Sequence, residues 1–176
     1  DLYVSAAMKK DSVDRANLLF INQGTDGDGL PFFTEEAEKY GINEMGYSMS
    51  AAFFDFDLDG DLDLYVLNNL LVTDLPGVFR EKLTDGSAGN NDRLYQNNGD
   101  GTFSDISQRA GIQIEGYGLG LAISDINGDG YPDVYVSNDY LSNDLLYINN
   151  CDGTFTNKIR DYIRHQSHYS MGLDIG

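Results

Sequence analysis

Tryptophan is absent from the 176 residues, cysteine occurs once, histidine twice and proline three times, and 11 basic residues face 29 acidic ones. A lone Cys151 excludes an internal disulfide and reads as a small, inert, partly buried thiol. No apolar run approaches the ~18–20 residues that a membrane-crossing helix needs, so no transmembrane segment is expected. The formal charge of −18 argues against nucleic acid and anionic lipid as partners, because both would be repelled. The first residues carry neither the basic region nor the hydrophobic stretch of a targeting segment. The sequence therefore reads as an internal piece of a longer chain. Catalytic signatures are missing too: there is no G-x-S-x-G, no H-E-x-x-H and no phosphate-binding loop. His165 and His168 stand three apart and would need partners from elsewhere to hold zinc. The expectation is a protein without catalytic activity.

What is there begins with an ordinary core. The chain is 41% apolar with 12 tyrosines and 9 phenylalanines, which is enough that acidity does not mean disorder. A bare −18 would repel itself, so bound cations are expected in the folded state. Two acidic loops 70 positions apart supply the places for them. The first runs Asp55-Phe-Asp57-Leu-Asp59-Gly60-Asp61-Leu-Asp63 and the second Asp125-Ile-Asn127-Gly-Asp129-Gly130-Tyr131-Pro-Asp133. Both spell D-x-[DN]-x-D-G-x-x-D and both lead directly into a strand. Oxygen ligands at the first, third, fifth and ninth places, with glycine permitting a sharp turn, suit a hard cation such as Ca²⁺. The expected ligands are side chains of Asp55, Asp57, Asp59 and Asp63 with the carbonyl of Asp61. In the second loop they are Asp125, Asn127, Asp129 and Asp133 with the carbonyl of Tyr131. The twelfth positions are Val66 and Val136, so an EF-hand reading fails. Two Ca²⁺ sites follow, acting as staples. A fully coordinated ion has no vacancy for substrate, which argues against Lewis-acid chemistry.

The rest of the chain repeats around those loops. Arg93-Leu-Tyr95-Gln-Asn97-Asn98-Gly99-Asp100-Gly101-Thr102-Phe103 matches Leu145 to Phe155, and Leu18 to Phe33 is a looser copy; each reads as a hairpin. Gly46-Tyr47-Ser48-Met49-Ser50 aligns with Gly116 to Gly120 and with His168 to Gly172. Asp26 to Gly29 and Asn98 to Gly101 read as turns inside the hairpins. One unit is thus strand, acidic loop, strand, connection, strand, tight turn, strand, which is the content of a propeller blade. The fold expected is all-β, a β-propeller of four-stranded blades, about three of them here. All of 1–176 is read as part of one propeller domain: a partial blade at 1–47, blades at 48–115 and 116–166, and the start of another at 167–176. The first whole blade carries an insertion, residues 70–91, suited to binding specificity. Tyr65, Tyr95, Tyr135 and Tyr147 are expected to pack between blades. Helical turns are expected over 34–40 and 107–110.

These loops, the L-Y-x-N-N-x-D-G-T-F hairpins and the G-Y-[SG]-[ML]-[SG] segments together resemble FG-GAP repeats of the VCBS type, which build the integrin α-subunit propeller. The texture is also similar to bacterial envelope proteins of the ASPIC/UnbV and cartilage-acidic-protein kind. The resemblance implies a ring of seven blades, a surface complex or longer chain, and an extracellular, cell-surface or periplasmic location. Cys151 departs from the pattern by standing where the other hairpin has Gly99, so an altered turn is expected there. The function expected is a calcium-stabilised module that binds a protein or glycan through its loop face. The rivals are a propeller domain of a polysaccharide lyase or hydrolase, and a lectin.

Overall fold

The computed structural model describes residues 1–9, 11–70, 81–139, 142–167 and 169–175. Residues 71–80 of the insertion, and His168, lie outside these residues. Among the described residues eleven strands form three antiparallel sheets, each a simple meander. The first sheet holds β1 (Leu2–Val4), β2 (Leu18–Thr25) and β3 (Pro31–Glu35). The second holds β4 (Tyr47–Phe54), β5 (Asp63–Asn69), β6 (Arg93–Asn97) and β7 (Phe103–Asp105). The third holds β8 (Gly118–Ser124), β9 (Asp133–Asn138), β10 (Leu145–Asn149) and β11 (Phe155–Asn157). One helical turn follows the last strand of each sheet: α1 (Ala37–Tyr40), α2 (Ser107–Ala110) and α3 (Ile159–Tyr162). The turns expected over 34–40 and 107–110 are therefore present. The first of them starts later, because β3 runs on to Glu35.

The sheets stack face to face, and β5 shows why its sequence is a nearly continuous apolar run. Successive side chains of a strand point to opposite faces. Leu64 and Val66 pack with Leu19, Ile42 and Tyr95 toward the first sheet. Tyr65 and Leu67 pack with Leu94, Val134, Val136 and Tyr147 toward the third. A strand covered on both faces has no reason to alternate with polar residues. By contrast β3, at a sheet edge with the pattern Pro-Phe-Phe-Thr-Glu, is exposed throughout. Tyr65, Tyr95 and Tyr147 lie in the two inter-sheet cores, as expected; Tyr135 packs instead on the other face of the third sheet, with Leu146 and Ile148 of its own sheet.

The G-Y-[SG]-[ML]-[SG] segments turn out to encode a bulge. Register shifts between Ser48 and Ser50 in β4 and between Gly118 and Gly120 in β8, the same place in both sheets. An extra residue there bends the strand, and the preceding residues reach to the neighbouring sheet. Ser48 N–H donates to Ala6 O at 3.2 Å, and Ser170 N–H donates to Asn138 O at the same distance. At Gly118 a Cβ would run into the Leu67 side chain, so close sheet stacking favours glycine at that point.

Candidate metal centre

Each acidic loop connects the first strand of a sheet to the second and ends on a buried aspartate. Asp63 is 1% exposed and Asp133 is fully buried. Both keep the same two partners. Asp63 accepts from Phe56 N–H at 3.2 Å and Asn97 N–H at 2.9 Å. Asp133 accepts from Ile126 N–H at 2.9 Å and Asn149 N–H at 2.8 Å. The ninth-position acid therefore pins the start of its loop to the end of the third strand. At the other end, Asp55 accepts from the N–H groups of Asp59 and Gly60, and Asp125 from those of Gly128, Asp129 and Gly130. Gly60 and Gly130 have φ of 96° and 92°, which lets the chain fold back over the first aspartate.

The loops diverge in what they gather. One carboxylate oxygen from each of Asp55, Asp57 and Asp63 lies within 4.8 Å of the other two. Asp57 gives one oxygen to Gln96 Nε2 at 2.8 Å, while its Oδ1 is buried without a hydrogen-bond partner. A buried orphan carboxylate oxygen costs free energy unless something fills the place of water. Burial pushes the Asp63 carboxyl up to about 6; the bonds from Asn97 and Phe56 offset only part of that, and Asp57 and Asp59 add to it. The donor set is all oxygen and carboxylate-rich, which fits Ca²⁺. Asp59 is exposed at the loop tip, accepting from Asp61 N–H at 2.9 Å, and is not one of the three gathered acids. Asp61 is exposed beside it.

In the second loop Asn127 replaces Asp57, and its amide turns inward, donating to Asp129 Oδ2 at 2.7 Å. Asp129 also accepts from Tyr131 N–H at 2.9 Å. That N–H bond, followed by the Asn127 amide, holds the exposed Asp129 carboxyl below its usual range. Asp125, Asn127 and Asp129 are all exposed, and Tyr131 is half-buried.

Cys151 is exposed and free, not partly buried as its residue type suggests. The hairpin turn is not altered either. Cys151 adopts φ 60° where Gly99 has 71°, keeping the turn at the expense of strain. Its Sγ lies 3.6 Å from Asp129 Oδ2. Partial desolvation and then the Asp129 carboxylate push the thiol above its usual range. His165 is exposed, and the only group of three potential metal-binding side chains among the described residues is the Asp55 cluster.

A second constellation escaped the sequence reading. Asp92, just before β6, accepts from Tyr65 hydroxyl at 2.7 Å and from Asn68 N–H at 2.9 Å. Asp144, just before β10, accepts from Tyr135 hydroxyl at 3.0 Å and Asn138 N–H at 2.8 Å. In the first sheet Asn17 fills the role, donating to Tyr3 hydroxyl at 3.1 Å and accepting from Ala6 N–H at 2.8 Å. In the two four-stranded sheets the clasp joins the second and third strands at the end opposite the acidic loop; in the first sheet it joins β1 and β2. The available signal was the recurrence of Asp92 and Asp144 three positions before Tyr95 and Tyr147.

Three meandering sheets stacked face to face, each full sheet with an acidic loop between its first two strands, define a β-propeller repeat protein. The model of the FG-GAP-like repeat matches residues 83–136 and again 125–176. The chain belongs to the FG-GAP-like repeat family. Both matches contain the second acidic loop; the first loop lies before them and is tied to the family by the internal repeat. No curated protein matches the chain.

Proposed function

We propose that the chain is a calcium-stabilised, non-catalytic propeller module of an exported or cell-surface protein, binding protein or glycan through its loop face. The observation that supports this reading is the meeting of Asp55, Asp57 and Asp63 around a buried, unpartnered Asp57 oxygen. Such a cluster is unfavourable without a cation. A bound Ca²⁺ would supply the positive charge that offsets the mutual repulsion of these carboxylates. In the first loop Asp55, Asp57 and Asp63 would hold it, with Asp59 and the carbonyl of Asp61. In the second, Asp125, Asn127, Asp129, Asp133 and the carbonyl of Tyr131 take the same places. Extracellular calcium modules work at ~10⁻⁴–10⁻³ M, which is why an exported location accompanies the calcium reading. The family agrees with this placement.

Thermal unfolding in millimolar calcium and then in excess chelator, with metal analysis of the purified protein, tests it. Two ions per chain and a clear fall in midpoint on chelation are expected. At a hundredfold excess over the dissociation constant each site adds about 2.7 kcal/mol. An unchanged midpoint and no bound metal would sink the proposal.

A further inference from the structure

The first loop is held from behind by a two-step relay that the second lacks. Gln96 in β6 donates through Nε2 to Asp57 Oδ2 at 2.8 Å, and Arg109 in α2 donates to Gln96 Oε1 at 2.9 Å. The amide orientation is unambiguous, because a carboxylate can only accept and a guanidinium can only donate. The relay ties up one Asp57 oxygen. The other stays buried and without a partner, beside Asp55 and Asp63, whose carboxylates approach that of Asp57 within 4.8 Å. The relay lines a cavity of about 390 Å³ at the rim of the second and third sheets, open between Phe56, Asp57, Tyr131 and Cys151. In the third sheet the position of Gln96 is taken by Ile148, 3% exposed, and that of Asp57 by the exposed Asn127.

We propose that Gln96 and Arg109 are positioning residues for the cation of the first loop, making it the tighter of the two sites. Gln96 fixes the rotation of the Asp57 carboxylate so that Oδ1 is presented to the ion, and Arg109 fixes Gln96. Partners of this kind, once removed, typically cost about 10–100-fold in metal affinity. The inference rests on the calcium reading above.

The test is calorimetric titration of the full chain with CaCl₂. An Asp125→Ala background reports the first loop and an Asp55→Ala background the second. Gln96→Ile, which installs the residue of the third sheet, is expected to weaken the first loop by about 10–100-fold and leave the second unchanged. Arg109→Ala, which frees the far end of the amide, is expected to weaken the first loop by a smaller factor. The unfolding midpoint in chelator serves as the readout for a merely structural role and is expected to stay within a few degrees of wild type. Equal affinity of Gln96→Ile and wild type at the first loop would overturn the relay. So would a parallel loss at both loops that tracks a lowered midpoint in chelator. Wild-type protein that binds no calcium at all would remove the calcium reading and the relay together.

Discussion

The two full blades share the spacing of their acidic loops and differ in four details. The first gathers three carboxylates, and the second turns an asparagine amide into its own loop. The first is braced from β6 by Gln96, where β10 offers Ile148. The remaining two concern where backbone strain is stored. Leu58 has φ 60° in the first loop, where Gly128 has 77° in the second, and Gly99 has 71° in the first hairpin, where Cys151 has 60° in the second. Each blade thus carries one strained non-glycine residue, but in opposite places. What the blades keep in common is the buried ninth acid with its two backbone donors. Equivalent loops therefore have an invariant mechanical part and a variable ionic part. The mechanical part closes the loop onto the sheet; the ionic part decides how strongly a cation is wanted.

The largest effect should come from breaking the shared part. Asp63→Ala and Asp133→Ala each leave two backbone N–H groups without acceptors, at about 1–3 kcal/mol apiece. Denaturant unfolding in chelator should show a similar loss, ~2–6 kcal/mol, for both variants. A much larger loss in one blade would mean that the loops are not mechanically equivalent.

The clasps sharpen the comparison next. Burial pushes the Asp92 carboxyl up to about 7, outweighing the bonds from Asn68 N–H and Tyr65 hydroxyl. An acid whose folded-state value is raised binds more protons folded than unfolded, so stability falls as pH rises from about 4 to about 7. Asp63 slopes the same way in chelator, ending near pH 6. Asp92→Asn should keep the fold, since Asn17 already serves the first sheet in that role. It should also flatten the part of the slope nearest pH 7. Unfolding curves across pH 4–8 in chelator, wild type against variant, check this; an unchanged slope would mean that Asp92 is not the titrating group. The smallest effect is the strain itself. Cys151→Gly should relieve a left-handed residue at roughly 1 kcal/mol, read as a rise in unfolding midpoint.

Much of the candidate site was legible because its ligands are contiguous. Asp55 to Asp63 and Asp125 to Asp133 are nine-residue stretches, and a turn residue such as Gly60 declares its conformation locally. The hairpins were legible for the same reason. Cys151 was misread because exposure depends on what packs against a turn, and its strained φ was hidden because the hairpin's other residues impose it. The clasp went unseen because Asp92 meets Tyr65 across 27 residues. The Gln96–Asp57 bond spans 39, and Asn149 Nδ2 reaches Phe56 O across 93, from the third sheet to the second.

Local chemistry in the chain, then, determined the repeat, the strand order within a blade, the positions of the acidic loops and the kind of ion they suit. Those follow from spacing along the backbone, where the turn and its ligands are neighbours by covalent connection. Tertiary structure decided which acids converge, which oxygen is left without a partner, and which blade supplies the brace. Those depend on sheets stacking about a shared core, and stacking brings together side chains whose separation in sequence carries no signal of their meeting.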